Sequence, residues 1–219
     1  MAELFCPLLL GHRGARAVRS IPENTLESFD RALSDGCDGF EFDVRLTADA
    51  VAVICHDPRF HGFEVAAVAA AQVPQLPRLE DVLSRYQGRA FLDIELKVGG
   101  LEKITLGLLA KYAPQRRFVV SSFLPEVLVA LRENDEHVSL GLICETRDEL
   151  RRWKDLPAAY VIPYYKLVTT SLVEEFWKAG KRIFVWTVND RAQMERFRNL
   201  RVDGIISDDT ELLCRTMQS

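Results

Sequence analysis

The sequence predicts an α/β fold of the TIM type, a (β/α)8 barrel, and three observations carry that expectation. Strand-like and helix-like segments alternate eight times from end to end, and 219 residues fall near the lower end of the length such barrels take. No Gly-x-Gly-x-x-Gly turn follows a strand, which weakens the alternative of a doubly wound, dinucleotide-binding open sheet. No linker, low-complexity tract or charge block interrupts the series. Residues 1–219 are therefore expected to form one domain, with a short insertion after the second strand region.

The first strand is expected at residues 8–10, closing an apolar run that starts at Leu4; Pro7 and the missing basic flank argue against a secretion signal. Its helix covers 25–35, with Asn24 as N-cap, Glu27 three positions later and Gly36 as terminator. Segments 40–45 and 51–55 make the second strand region, and 79–86 is its helix. Between them, 58–75 is the insertion, whose Ala/Val-rich part 65–73 reads as a small helix on the barrel rim. Strand 91–96 then pairs with helix 101–112, 118–121 with 125–132, and 138–143 with 147–153. The last three units are 160–163 with 171–179, 183–187 with 192–198, and 204–207 with 209–216.

Hydrophobic residues make up 48% of the chain, enough for a full core, and the net charge is -4. Mild acidity and scattered arginines speak against nucleic acid as a partner, and nothing approaches the length of a transmembrane span. The 5 cysteines are odd in number, widely spaced and free of Cys-x-x-Cys patterns. They read as thiols kept in a reducing compartment, so a cytoplasmic location is expected.

Chemistry enters with Phe40-Glu41-Phe42-Asp43-Val44. In a strand, Glu41 and Asp43 share one face while Phe40, Phe42 and Val44 share the other. Asp93-Ile94-Glu95-Leu96-Lys97 repeats the pattern, with Asp93 deepest, where it reads as a lower-layer structural partner. Both faces of a barrel strand are covered, so these charges must line the interior or its mouth. Strand one ends in Gly11-His12-Arg13-Gly14, and strand 51–55 runs into His56-Asp57. The strand ends thus gather Glu41, Asp43 and Glu95 near His12, His56, Arg13 and Lys97.

Three carboxylates so close repel, by about 4 kcal/mol per pair at ~4 Å and an effective dielectric of ~20. Either some are protonated or a cation sits among them. A hard divalent ion, Mg²⁺ or Ca²⁺, suits an all-oxygen set. With Arg13 and Lys97 at its edge, such a centre can receive a phosphoryl group, and two imidazoles can divide the proton work.

Further motifs fall in a fixed order around these residues: Pro22-Glu23-Asn24-Thr25, Leu76-Pro77-Arg78-Leu79-Glu80, Ser121-Ser122-Phe123, Trp186-Thr187-Val188-Asn189 and Asp203-Gly204-Ile205-Ile206-Ser207-Asp208. Together with the His12, Glu41, His56 and Glu95 motifs, they resemble the glycerophosphodiester phosphodiesterases over nearly the whole chain. The resemblance implies that Glu41, Asp43 and Glu95 bind one divalent metal ion and that His12 and His56 serve as acid and base. It further implies that Arg13 and Lys97 hold phosphate and that Trp186 lines the glycerol side. The implied reaction converts a small-molecule glycerophosphodiester to glycerol 3-phosphate and an alcohol. Attack by the substrate's own glycerol hydroxyl gives a cyclic phosphate that water later opens.

Neighbouring readings are a lysophospholipase D or phospholipase C-like activity, a non-catalytic barrel that binds phosphate esters, and a metal-free glycosidase using Glu41 and Glu95. Two features depart from the family pattern. Ala48-Asp49-Ala50 stands where Asp-Gly is usual, and 58–75 lacks the Arg-Thr-Thr-Gly region and is shorter than the usual bacterial insertion.

Overall fold

The computed structural model describes residues 6–115 and 117–218; Leu4 and Phe5 of the first apolar run lie outside them. In chain order the elements are β1 (Leu8–His12), α1 (Leu26–Asp35), β2 (Gly39–Leu46), β3 (Ala52–Ile54), β4 (Arg59–Phe60), β5 (Phe63–Glu64), α2 (Leu79–Tyr86) and β6 (Phe91–Leu96). They continue with α3 (Glu102–Tyr112), β7 (Phe118–Ser122), α4 (Pro125–Asn134), β8 (Leu140–Cys144), α5 (Arg147–Arg151), β9 (Tyr160–Pro163), α6 (Thr170–Lys178), β10 (Arg182–Val185), α7 (Arg191–Asn199), β11 (Gly204–Ser207) and α8 (Thr210–Gln218).

Eight of these strands run parallel in the order β1-β2-β6-β7-β8-β9-β10-β11, and β1 pairs with both β2 and β11. The ring is closed, as a (β/α)8 barrel requires, and the open-sheet alternative falls away. β2 overruns the ring after Val44, which still faces Leu96 of β6, and its last three residues pair antiparallel with β3, Val44 opposite Ile54 and Leu46 opposite Ala52.

Strand parity decides what each face meets. Phe40 and Phe42 are fully buried outside the ring, where Phe40 stacks on Phe29 of α1 at 4.2 Å and meets Tyr86 of α2 edge-on at 4.9 Å. Burying a side chain of this size contributes about 1.5–3 kcal/mol. Inside, Leu10, Phe91, Val119, Tyr160 and Phe184 fill the barrel. Gly39 lets β2 and β6 approach there: a Cβ on it would stand 1.9 Å from the Phe91 carbonyl oxygen.

Two local expectations need correction. The N-cap of α1 is Thr25, whose hydroxyl accepts from the Ser28 amide at 3.2 Å. Asn24 has a left-handed backbone (φ 57°) instead of the extended one a cap uses, and its side chain is committed to Asp43. Residues 65–73 form no single helix but two 3-10 turns, Val65–Ala67 and Ala70–Gln72, after the β4-β5 hairpin. Bonds from the Ala48 amide to the Val68 carbonyl and from the Ala70 amide to Asp49 Oδ1 hold the segment open. Val65, Ala70 and Val73 pack with Val53 and Leu76 at the rim.

Gly36 ends α1 in the left-handed conformation (φ 107°), as its position suggests. Ala50 adopts φ 59° in the turn where a glycine would be usual, so the hairpin forms without one. Cys37, Cys55, Cys144 and Cys214 are buried and Cys6 is exposed. Among the described residues, no helix is long and apolar enough to cross a membrane.

Candidate active site

β1 ends at His12, and Arg13 (φ 54°) and Gly14 (φ 83°) turn the chain sharply. The turn frees the Arg13 amide to donate to Glu41 Oε2 at 3.0 Å. His12 Nδ1 lies 2.7 Å from Asp208 Oδ1, and its Nε2 lies 3.8 Å from Glu41 Oε2. Asp208 follows β11, the strand beside β1 in the closed ring, and also accepts from Asn189 Nδ2 at 2.6 Å. Burial works to raise the Asp208 carboxyl, but the His12 hydrogen bond and charge, with Asn189 and Arg16, outweigh it and hold the group down to about 2.

His56 arrives on the hairpin, not on the ring. Arg45, on the same face of β2 as Glu41 and Asp43, donates from Nε to the His56 carbonyl at 2.8 Å. Asp57 Oδ1 lies 2.7 Å from His56 Nδ1, so Asp57 orients its neighbour. Burial lowers the His56 imidazole below its ordinary value, with Asp43 opposing that shift. Its side chain is 35% exposed against 12% for His12, so His56 is the outer of the two.

Register places Glu41 opposite Asp93 and Asp43 opposite Glu95 on adjacent strands. Glu41, Asp43 and Glu95 are all buried, and one oxygen from each falls within 4.8 Å of the others. Burial and then Asp43 push Glu95 up to about 7, although Lys97 opposes them; Glu41 is raised by burial, Asp43 and Glu95. Asp43 is held below the ordinary carboxylate range, because Lys97, Arg13 and the Asn24 amide outweigh its burial. Lys97 Nζ lies 2.6 Å from Glu95 Oε1 and 3.3 Å from Asp43 Oδ1; Arg13 Nε lies 3.3 Å from Asp43 Oδ2. Two cations facing a larger set of carboxylates leave the cluster short of positive charge. Glu41 Oε1 is buried with no hydrogen-bond partner among the described residues. Both observations fit a hard divalent cation at this position.

A cavity of about 380 Å³ opens above the cluster. His12, Arg13, Glu41, His56, Asp93, Glu95 and Lys97 line its polar side, and Phe123, Ile143, Ile162, Trp186 and Ile206, with the exposed Glu145, line the other. Asp43, 1% exposed, lies behind the lining. Trp186 follows β10; its Nε1 donates to the Ile162 carbonyl at 2.9 Å and its ring meets Phe123 edge-on at 5.6 Å. Every site residue expected from sequence is therefore in or directly behind one cavity.

Three contributors escape the sequence reading. Asp208 stands at the end of a strand that neighbours β1 only once the ring closes, and that position was its available signal. Asn24 donates from Nδ2 to Asp43 Oδ2 at 2.8 Å, and Glu23 bridges Arg13 at 2.8 Å and Arg16 at 2.6 Å. Both sit in the β1-α1 loop, where nothing in their spacing announces these contacts.

Residues 12–86 and 92–212 match the glycerophosphoryl diester phosphodiesterase family. The chain belongs to that family. Membership makes the protein a phosphoric diester hydrolase, with glycerophosphodiesters as the substrate class its family and relatives support. The glycerophosphodiester phosphodiesterase of Caldanaerobacter subterraneus subsp. tengcongensis is 31% identical, covering 94% of this chain and 96% of that protein. Among solved structures, a glycerophosphodiester phosphodiesterase from Agrobacterium tumefaciens str. C58 shares the fold with a TM-score of 0.85 at 24% identity, covering 98% of this chain and 100% of that one. An Oleispira antarctica phosphodiesterase, solved with the product sn-glycerol-3-phosphate, has a TM-score of 0.86 at 24% identity and covers 98% of each chain.

Proposed function

We propose that this enzyme cleaves glycerophosphodiesters to glycerol 3-phosphate and an alcohol, in a reaction that depends on a divalent ion and on two histidines. The observation that carries the reading is the pairing of each histidine with its own carboxylate, in one cavity with a buried acidic cluster. The product held by the Oleispira relative supports the same chemistry.

Glu41, Asp43 and Glu95 would hold Mg²⁺ or Ca²⁺, which when bound supplies positive charge to the phosphoryl oxygens. Arg13 and Lys97 bind phosphate oxygens at the same edge and stabilise the charge that grows on them in the transition state. Asp208 and Asp57 each engage Nδ1 of their histidine, which leaves Nε2 of each ring to carry a proton to or from the substrate. One imidazole accepts the proton of the attacking glycerol hydroxyl and the other donates to the departing alkoxide. The resulting cyclic phosphate is opened by water with the proton roles exchanged. Phe123, Ile143, Ile162 and Trp186 give the glycerol carbons an apolar wall.

The deciding experiment measures glycerol 3-phosphate release from a panel of head-group diesters, with Mg²⁺ or Ca²⁺ and after EDTA, in the wild type and in His12→Ala and His56→Ala. Release from the wild type alone, abolished by EDTA and restored by either ion, is expected. Turnover that survives chelation, or either histidine variant at wild-type rate, contradicts the scheme.

A further inference from the structure

Asp93 lines the cavity, yet the proposed cleavage of glycerophosphodiesters gives it no task. The role inferred for it here rests on that reaction. Asp93 is fully buried, two residues below Glu95 on β6 and opposite Glu41 on β2. It falls outside the group whose oxygens lie within 4.8 Å of one another. Ser121 Oγ donates to its Oδ1 at 2.5 Å. Its Oδ2 is buried without a hydrogen-bond partner among the described residues. Such an oxygen is costly to bury alone, so its place on a cavity wall points to a donor that arrives with the ligand.

The oxygen count of the substrate indicates which donor. Glycerol in a phosphodiester has one oxygen bound to phosphorus, a second that attacks, and a third on the terminal carbon. Arg13 and Lys97 are taken by phosphate, Phe123, Ile143 and Ile206 present carbon, and Glu145, the further carboxylate of the lining, is exposed to water and gains little from a new partner. The indole N–H of the lining, Trp186 Nε1, already donates to the Ile162 carbonyl. We propose that Asp93 Oδ2 accepts the terminal hydroxyl of the glycerol moiety, so that Asp93 selects glycerol over diols that lack this hydroxyl. Ser121 fixes the carboxyl by its other oxygen and leaves Oδ2 directed at the ligand. A site built to pair a hydroxyl discriminates strongly against an analogue without one, because its own polar atom is then left buried and unpaired.

The test compares kcat/KM for a glycerophosphodiester with that for the diester of propane-1,2-diol and the same alcohol. The analogue keeps the attacking hydroxyl and replaces the terminal one by hydrogen. Wild-type enzyme is expected to prefer the glycerol compound about 10- to 100-fold, the cost of leaving a buried polar atom without its partner. In Asp93→Val the preference should shrink below about 3-fold, entirely through loss on the glycerol compound, and Asp93→Asn should fall between. Calorimetry of Mg²⁺ or Ca²⁺ should give the same affinity in Asp93→Asn as in the wild type.

A wild type without preference, variants that lose both substrates equally, or a weakened ion affinity overturns the assignment. If Asp93→Val does not fold, an unchanged preference in Asp93→Asn does the same. Calorimetric binding of glycerol 3-phosphate against propane-1,2-diol 1-phosphate repeats the comparison without turnover. Failure of the wild type to hydrolyse any glycerophosphodiester would refute the reaction, while this binding contrast would still judge Asp93 itself.

Discussion

Asp208 Oδ1 stands 2.7 Å from His12 Nδ1, and this contact decides which ring nitrogen faces the cavity. Asp208→Asn keeps the volume but loses the charge, and should lower kcat by about 10²- to 10⁴-fold, as at other histidine-aspartate pairs. The same carboxyl shapes stability. Its folded value of about 2 lies below the ordinary 3.8, so its contribution is complete above about pH 4 and disappears as pH falls through 2. The wild type should therefore lose about 2 kcal/mol between pH 4 and 2 that Asp208→Asn does not lose. Urea unfolding across that range checks it, and equal slopes in the two proteins would contradict it. At this scale the cluster of Glu41, Asp43 and Glu95 was legible, because period-2 parity needs only neighbours in sequence. Asp208 lies 196 residues from His12 and becomes its neighbour through ring closure alone.

Among the elements, β2 carries the most: it presents two acids inward, two phenylalanines outward and the overrun that pairs with β3. Its first residue permits this. Gly39→Ala would drive a methyl group into the Phe91 carbonyl, and neither strand can give way without breaking ring pairing. We expect a destabilisation of about 3 kcal/mol, measured as a lower denaturation midpoint at unchanged slope. Gly180→Ala has no such neighbour within 4 Å and serves as a comparison, although its φ of 68° carries strain of its own. Strands and helices were readable from alternation and caps because local pattern and tertiary role agree. Residues 65–73 were not, since their conformation follows bonds from the Ala70 amide to Asp49 and from the Ala48 amide to the Val68 carbonyl that no local propensity encodes.

For the whole molecule, the acidic centre ties stability to ionic conditions. Carboxyls from β2 and β6 repel inside a buried space, and an ion that binds the folded state alone stabilises it by mass action. At about 100 times its Kd, Mg²⁺ or Ca²⁺ should contribute roughly 2.7 kcal/mol, or about 5–10 °C in Tm for a chain of this size. Glu41→Gln should flatten that dependence, and calorimetry should show weaker ion binding. A Tm indifferent to both ions in the wild type would remove the centre from the folding equilibrium. The barrel itself was legible from eight alternations and length, whereas closure, which sets His12 against Asp208, is a property of the assembled ring.

His56 sits outside that ring. It is carried by a hairpin built from the overrun of β2, clasped by Arg45 and backed by the 3-10 turns of the insertion. Evolution can therefore lengthen, shorten or redecorate this outrigger without re-registering a single strand of the scaffold. New preferences for the departing alcohol can arise on this hairpin while Arg13 and Lys97, at the ends of the flanking strands β1 and β6, keep the positions proposed for phosphate.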